Sequence, residues 1–194
     1  MFGERNWEFN KLITSDSALF FDMDGTLIDT DYANFLSYKK AIELVLQKDF
    51  DLPHNPTQRF NRSLLRRAIP NLTEKELEMI ICEKEKCYSD FLSETQLNSE
   101  IVEVLFNYYT TNKTVLVTNC RKDRALATLS HHGLTNKFSD FFFRQIDDKE
   151  KVNKFQNAIL KMSMSPNLII AFENEDDEIA DAIIAGIQYI NPKL

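Results

Sequence analysis

The sequence predicts a doubly wound, Rossmann-like α/β fold, in which helices cover both faces of a parallel sheet and an α-helical cap is inserted. Two observations predict this fold. From Asn98 onward, short apolar runs alternate with helical patterns, which is typical of a parallel sheet. Before Asn98, about sixty residues show helical periodicity only and separate the first strand from the others. We therefore expect an α/β core made of 1–31 and 97–194, and a cap made of 32–96.

The first strand and the cap helices are predicted from apolar spacing. Ala18–Phe21 is an uninterrupted apolar run, as expected of a strand that is buried on both faces. In the cap, apolar side chains recur at helical spacing, which predicts three helices. These helices carry Phe35, Tyr38, Ile42 and Val45; then Phe60, Leu64 and Ala68; then Leu77, Ile80, Lys84, Cys87 and Phe91. Pro70 stops the second helix, and Thr73 with Glu76 predicts a capping box at the start of the third.

After the cap, helices and strands are predicted in turn. The helices are 99–109, 122–132, 152–161 and 177–185, and the strands are 114–117, 168–172 and 188–190. Gly133 and Gly186 end two of these helices, because glycine readily adopts the left-handed backbone found at helix C-termini. The first 17 residues carry Trp7 and Phe9 but no motif, so the sequence assigns them no role.

Composition excludes several functions. The chain of 194 residues has a net charge of −7, which argues against a broad surface for nucleic acid or for an anionic membrane. No apolar run reaches the length of a membrane span, and the first ten residues are too polar for a signal peptide. Three cysteines without metal-type spacing are typical of free thiols in a reducing compartment. We expect a cytoplasmic protein whose small anionic substrate would need a local basic pocket.

Two carboxylates follow the first strand and indicate the chemistry. Asp22 and Asp24 leave the strand end close together, which is costly unless a cation lies between them or one is protonated. Reactive groups in open α/β sheets lie just beyond such strand ends. Gly25 lets the backbone turn close to a ligand, and the amides that follow can face an anion. A divalent metal with a phosphate satisfies these demands.

Residues 20–30, Phe-Phe-Asp-Met-Asp-Gly-Thr-Leu-Ile-Asp-Thr, resemble the first motif of the haloacid dehalogenase-like hydrolase superfamily. A solvated Asp-Gly turn would account for Asp24 and Gly25 alone, but not for the acid at the strand end. Thr118-Asn119, at the end of strand 114–117, resembles the second motif, although a threonine at a strand end or helix N-cap is common by itself. The capped subgroup that the chain resembles is similar to phosphoglycolate phosphatase and β-phosphoglucomutase.

The third motif of the superfamily is a lysine that precedes the acids of the fourth motif. The family interval, counted back from Glu173-Asn174, reaches Lys149, and Lys151 is the alternative because loop alignments slip by a residue or two. A lysine there would neutralise the nucleophile and the transferring phosphoryl group. Lys149, Lys151 and Lys154 could instead form a solvated helix start.

The fourth motif is similar to the family pattern but altered. The run after strand 168–172 ends in an alanine-rich helix that closes in Ala-Gly-Ile, as in the family. Asn174, however, stands where the family has a metal-binding aspartate, and a neutral carbonyl oxygen is a weaker ligand for a hard cation. Glu173 and Glu178 match acidic positions of the pattern. The acids Asp176 and Asp177 are also explained by the helix dipole alone.

The resemblance implies three sets of site residues. The catalytic residues would be Asp22, Asp24, Thr118 and Lys149. The substrate-binding residues would be Gly25, Thr26, Asn119 and Arg121. The residues that hold Mg²⁺ would be Asp22, Asp24, Asn174, Glu173 and Glu178.

The implied activity is a Mg²⁺-dependent phosphatase that hydrolyses a small phosphate monoester. Asp22 would form an aspartyl-phosphate, and Asp24 would protonate the leaving oxygen and then activate water. Dehalogenases of the superfamily lack an acid at the position of Asp24, so its presence favours phosphoryl transfer. The alternatives are a phosphomutase, or a pseudo-enzyme that binds a phosphorylated ligand or a protein, which Asn174 keeps open. The expected partner is a small phosphorylated metabolite, and the expected assembly is a monomer or homodimer.

Overall fold

The computed structural model describes residues 9, 11–144 and 152–192. The chain divides into two compact units. One, the sheet unit, joins the chain up to Ile28 with the chain from Leu97 onward, and the other, the helical unit, is Asp29–Gln96. The helical unit differs from the predicted cap, 32–96, by three residues at its start, and its action as a cap stays a prediction.

The sheet unit is built on five parallel strands. With a separate pair of strands included, the described strands in chain order are β1 (Ala18–Phe21), β2 (Ile28–Asp29), β3 (Gln96–Leu97), β4 (Lys113–Val117), β5 (Asp140–Phe142), β6 (Ile169–Phe172) and β7 (Tyr189–Ile190). The main sheet has the order β5-β4-β1-β6-β7, while β2 and β3 pair separately where the chain passes between the units. This is a doubly wound topology with β1 at the centre, so the predicted fold class is confirmed.

Alternate side chains of β1 point to opposite faces of the sheet and enter different cores. Leu19 and Phe21 pack into one apolar cluster, and Ala18 and Phe20 pack into another. All four are fully buried. This explains why β1 is a continuous apolar run rather than an alternating one: neither face of the strand meets water.

Helices cover both faces of the sheet and make up most of the helical unit. In chain order they are α1 (Asp31–Leu46), α2 (Arg62–Ala68), α3 (Glu74–Cys87), α4 (Ser99–Tyr108), α5 (Lys122–His131), α6 (Lys154–Met162) and α7 (Asp176–Ile184). Gly133 and Gly186, with φ of 68° and 87°, follow α5 and α7 as the sequence predicts.

The helical unit has its own apolar core, in which α1 packs against α3. The capping box predicted for α3 is present: the Thr73 N–H donates to Glu76 Oε2 at 2.8 Å, and the Glu76 N–H donates to Thr73 Oγ1 at 3.2 Å. A 3-10 segment, Tyr88–Glu94, follows α3 directly. Phe91, which the sequence predicts in the third helix, therefore lies outside α3. Among the described residues, no helix is long and apolar enough to cross a membrane.

Strand register places three sets of polar residues at one edge of the sheet. Phe21, the last residue of β1, lies level with Leu116 on β4 and with Phe172 on β6. The segments after these three strands therefore leave the same carboxyl-end edge, where ligands bind in open α/β sheets. The sequence missed β5, which is three residues long and only half-buried.

Candidate active site

Asp22 continues directly from β1 into the site. Its N–H donates to the Phe172 carbonyl at 3.0 Å, which extends the pairing with β6 by one residue. The residue is only 5% exposed, although it is a carboxylic acid. A buried carboxylate needs a charged or hydrogen-bonding partner, because its hydration is lost. Asp22 is therefore held at the edge of the sheet by backbone bonds and must be neutralised there.

The glycine turn after Asp22 is tightly hydrogen-bonded. The Gly25 N–H donates to the Ile28 carbonyl at 2.8 Å, and the N–H groups of Leu27 and Ile28 both donate to Met23. Gly25 has a φ of +83°, which other residues rarely adopt. A Cβ at this position would lie 2.5 Å from Nδ2 of Asn174. Both the backbone angle and this close approach require glycine.

Lys154 is the cation that faces Asp22. Its Nζ lies 2.7 Å from Asp22 Oδ1 and 2.6 Å from Glu173 Oε2, and 3.6 Å from Glu178 Oε2. The lysine is 6% exposed, so its charge is compensated almost entirely by these carboxylates. This cluster of one ammonium and two buried carboxylates is the chemical centre of the site.

The start of α6 places Lys154. Asn153 caps this helix by accepting hydrogen bonds from the N–H groups of Phe155 and Gln156, each at 3.0 Å. Its own Nδ2 donates to the Asp181 carbonyl at 2.7 Å, which fastens the start of α6 to α7. Lys154 is thus the first residue of a helix whose start is held by the Asn153 cap and by the hydrogen bond from Asn153 to Asp181.

The predicted third-motif lysines, Lys149 and Lys151, lie outside the described residues, so their role stays a prediction. The alternative of a solvated helix start is wrong for Lys154, which is buried against Asp22. A signal for this lysine exists in the sequence. Lys154 lies four residues before the apolar Ala158, so both lie on the same, buried face of α6. A lysine at that position is directed toward the sheet rather than toward solvent.

Burial and the charges of the cluster shift the pKa values of Asp22 and Lys154. Burial raises the pKa of Asp22 from 3.8 to about 7; Lys154 opposes this rise, whereas Glu173 and Asp24 add to it. Burial alone would lower the pKa of Lys154, but the carboxylates of Asp22 and Glu173 outweigh it and raise that pKa above its usual range. One cation shared between two buried carboxylates leaves Asp22 incompletely neutralised. The site therefore favours further positive charge beside Asp22.

Thr118 and Asn119 form the second wall of the site, after β4. The Thr118 N–H donates to the Phe142 carbonyl at 2.9 Å, and its Oγ1 accepts from the Cys120 N–H at 3.1 Å. Because that oxygen accepts a backbone bond, the hydroxyl proton can donate to a ligand. Asn119 Nδ2 donates to both carboxylate oxygens of Glu178 at 3.0 Å. Asn119 therefore links the segment after β4 to α7.

Asn174 and Thr26 contact each other. The Thr26 hydroxyl donates to Asn174 Oδ1 at 2.8 Å, which connects the glycine turn to the segment after β6. Glu173 is fixed beside them, because its Oε1 accepts from the N–H groups of Asn174 and Glu175 at 2.9 and 3.1 Å. The Glu173 N–H in turn donates to Asn191 Oδ1 at 2.9 Å. The altered fourth motif is thus well ordered around a neutral side chain.

Arg124, like Arg121, follows Thr118-Asn119 closely in the sequence and is therefore near the chemistry, although only Arg121 is a predicted substrate-binding residue. Arg124 Nη2 lies 3.0 Å from Asp24 Oδ2, and the two side chains are 13% and 15% exposed. The predicted substrate-binding residue Arg121 is exposed at the N-cap of α5, and its role stays a prediction. Arg121 and Arg124 are three residues apart, and the structure shows that Arg124 contacts Asp24.

Asp22, Asp24 and Asn174 carry oxygen donors of the kind that Mg²⁺ binds, but few of these donors are carboxylates. Within the described ranges, no group of three or more histidine, cysteine, aspartate or glutamate side chains is arranged to hold a metal. The donors that remain are the Asp22 carboxylate, the Asp24 main-chain carbonyl and the Asn174 amide oxygen. All are hard oxygens, and Mg²⁺ commonly uses one or two carboxylates with water and substrate phosphate. The chemistry of these donors fits Mg²⁺ as a weak site, and ligation by each of the predicted residues, Glu173 and Glu178 included, stays a prediction.

Comparisons with known proteins bear on the family and the fold. The family model described as haloacid dehalogenase-like hydrolase matches residues 19–191. A predicted phosphoglycolate phosphatase from Haemophilus somnus is 21% identical over 91% of this chain and 88% of its own, with a TM-score of 0.71. CbbY from Rhodobacter sphaeroides, in complex with phosphate, is 16% identical over 92% of this chain and 87% of its own, with a TM-score of 0.72. Comparison with curated proteins found no match.

The match over nearly the whole chain shows the family. The class that this structure defines is a doubly wound α/β fold whose central strand is followed directly by Asp22, with Lys154 and Glu173 beside it. The chain belongs to the haloacid dehalogenase-like hydrolases, and the predicted class of enzyme, a phosphohydrolase of this family, is confirmed.

Proposed function

We propose that the protein is a Mg²⁺-dependent phosphatase that hydrolyses a small phosphate monoester through an aspartyl-phosphate on Asp22. The observation that carries this proposal is the buried contact of Asp22 with Lys154, which is itself bound to Glu173. A carboxylate with a raised pKa beside a fixed ammonium is suited to receive a phosphoryl group, because the ammonium faces the charge that gathers there.

The first step forms one bond and breaks another. An oxygen of Asp22 attacks phosphorus, the bond from phosphorus to the leaving oxygen breaks, and Asp24 gives its proton to that oxygen. In the second step Asp24, now a carboxylate, takes a proton from water as the water attacks the aspartyl-phosphate. Asp22 is regenerated and inorganic phosphate leaves. Asp22 and Asp24 lie on either side of Met23, which suits their separate roles as nucleophile and as general acid and base.

Three further groups would hold the phosphoryl oxygens. Lys154 supplies positive charge, the Thr118 hydroxyl supplies a donor, and the turn that contains Gly25 brings backbone close to the ligand. Asn119 would act indirectly. Its amide donates to the carboxylate of Glu178, and Glu178 Oε2 lies 3.6 Å from Lys154 Nζ. Removing Asn119 should therefore shift Lys154 rather than delete a contact to substrate.

Mg²⁺ would be held by the Asp22 carboxylate, the Asp24 main-chain carbonyl and the Asn174 amide oxygen. When bound, the cation supplies charge that offsets the phosphate and the nucleophile. Asn174 offers a neutral oxygen, so we expect this protein to need more Mg²⁺ than an enzyme with aspartate there.

The substrate class rests on chemistry and on the related structures. The Rhodobacter sphaeroides CbbY structures contain phosphate and, in a variant, a xylulose bisphosphate. Asp22 would act as the nucleophile and Asp24 as the proton donor. This pair suits phosphate esters with poor leaving groups, such as sugar or glycolate phosphates. Within this class we propose no particular substrate.

A panel of phosphate monoesters assayed with and without Mg²⁺ tests the proposal. We expect phosphate release that requires the metal and disappears in Asp22→Asn, which keeps the shape of the side chain. Isomerisation of a sugar phosphate without phosphate release would instead indicate a phosphomutase. Asn174 favours one other candidate, a pseudo-enzyme that binds a phosphorylated ligand. Binding of inorganic phosphate without turnover of any ester would support that candidate and overturn the proposed phosphatase.

A further inference from the structure

Each aspartate of the first motif has its own cation. Lys154, on α6, lies 2.7 Å from Asp22 Oδ1, whereas Arg124, on α5, lies 3.0 Å from Asp24 Oδ2. The two cations come from different helices. The contact to Asp22 belongs to the reacting centre, but the contact to Asp24 is not needed to neutralise the nucleophile. Arg124 therefore requires an explanation of its own.

Arg124 is held in place from the β4 side of the site. Its Nε donates to Cys120 Sγ at 2.9 Å, and Cys120 is 2% exposed. The Cys120 N–H donates to Thr118 Oγ1 at 3.1 Å. A chain of contacts therefore runs from the end of β4, through Cys120 and Arg124, to the carboxylate of Asp24. The guanidinium is supported at Nε while Nη2 contacts the acid.

We propose that Arg124 is a positioning residue that fixes the Asp24 carboxylate for proton transfer; this inference rests on the proposed function above. An arginine side chain stays protonated in proteins, so Arg124 cannot itself deliver or accept the proton. Its planar fork, anchored on Cys120, gives the carboxylate a defined orientation. The hydrogen-bonded turn fixes the Asp24 backbone, and Arg124 fixes the side chain.

The orientation of Asp24 matters because general acid catalysis is sensitive to geometry. A positioned acid or base contributes about 10²- to 10⁴-fold to rate, and a displacement of about 1 Å can cost about 10²-fold. This contribution is largest for a poor leaving group, which cannot depart without a proton. An ion pair that only fastens the turn to α5 would affect every substrate alike. Leaving-group dependence therefore separates a positioning role from a merely structural one.

The experiment compares Arg124→Met, Arg124→Lys and a control, Lys122→Met, which removes an exposed charge from the same helix. Each is assayed on an alkyl phosphate and on nitrophenyl phosphate. We expect Arg124→Met to lower kcat about 10- to 100-fold on the alkyl ester and about 3-fold or less on the nitrophenyl ester. Arg124→Lys should recover part of the loss, and Lys122→Met should match the wild type.

The same substitution in an Asp24→Asn background provides the second readout. If Arg124 acts through Asp24, Arg124→Met should cause no further loss of kcat there. Equal losses on both esters, or a full additional loss in the Asp24→Asn background, would overturn the inference while leaving the proposed phosphatase intact. If Arg124→Met does not fold, Arg124→Lys alone must show the leaving-group dependence. A wild-type protein that releases phosphate from no ester of the panel, nitrophenyl phosphate included, would overturn the proposed function, and this inference with it.

Discussion

Replacing Asp22 by asparagine should stabilise the folded protein, and the gain should grow as the pH rises. Burial raises the pKa of Asp22 from 3.8 to about 7, so the folded state binds its proton more tightly than the unfolded state does. Between these values the stability of the wild type falls as the pH rises, and above about 7 the whole penalty is present. Asparagine keeps the shape of the side chain but carries no titratable carboxylate.

The size of the effect follows from the shift. One pKa unit corresponds to about 1.4 kcal/mol, so the raised pKa of Asp22 corresponds to a penalty on the order of 4 kcal/mol at pH 8 and on the order of 2 kcal/mol at pH 5. The advantage of Asp22→Asn over the wild type should therefore grow by about 2–3 kcal/mol between these two pH values. Lys154 keeps Glu173 as a partner in the variant, at 2.6 Å, so its charge stays compensated.

The assay is urea denaturation of both proteins at pH 5 and pH 8, with a chelator present so that no metal neutralises Asp22. Glu43→Gln, a charge removal in the helical unit, is the matched control and should show no such growth. The reasoning fails if the difference in the free energy of unfolding between Asp22→Asn and the wild type is the same at both pH values. It also fails if that difference shrinks toward pH 8, since this would mean a lowered pKa of Asp22 in the folded state.

Four other substitutions test separate parts of the site. Lys154→Met should lower the free energy of unfolding by about 3–5 kcal/mol, because it leaves two buried carboxylates without their cation, and a loss in urea denaturation below about 1 kcal/mol would contradict this. Asp24→Asn should lose more kcat on alkyl phosphates than on nitrophenyl phosphate, and equal losses would argue against a general acid. Gly25→Ala should lower the Tm, because alanine is strained at a φ of +83° and its Cβ would lie 2.5 Å from Asn174 Nδ2; an unchanged Tm would refute the close approach. Asn174→Asp should tighten Mg²⁺ binding in calorimetry and lower the Mg²⁺ needed for half-maximal activity, whereas unchanged values of both would mean that position 174 is not a ligand.

The sheet could be predicted where its strands are continuous apolar runs. β1 and β6 are buried on both faces, and their sequences show it directly. β5 could not be predicted, because Asp140–Phe142 is short, begins with a charge and is only half-buried. β5 forms a strand because it pairs with β4, although its own sequence does not specify a strand. Short edge strands of this kind are determined by their neighbours rather than by local pattern.

The first motif could be predicted from local sequence. Which cations contact its aspartates, Lys154 at Asp22 and Arg124 at Asp24, could not be predicted in this way. Asp22 and Lys154 are separated by 132 residues, and which lysine faces the acid depends on where α6 begins. The sequence predicted a helix from 152, whereas α6 begins at Lys154 after the Asn153 cap. A change of two residues turns the lysines of a helix start by more than half a turn. The contact of Arg124 with Asp24 could not be predicted for a similar reason, since the two residues are 100 positions apart.

The most direct test of the central claim is to find the phosphoryl group on Asp22. The protein, and separately its Asp24→Asn variant, is quenched in acid during turnover of nitrophenyl phosphate, whose leaving group departs without a proton, and is digested for mass spectrometry. We predict one phosphoryl group on the peptide that contains Asp22, with a larger fraction modified in Asp24→Asn because hydrolysis of the intermediate is slowed. Turnover without a phosphoryl group on Asp22 in either protein, or with the phosphoryl group on another residue, would contradict the account.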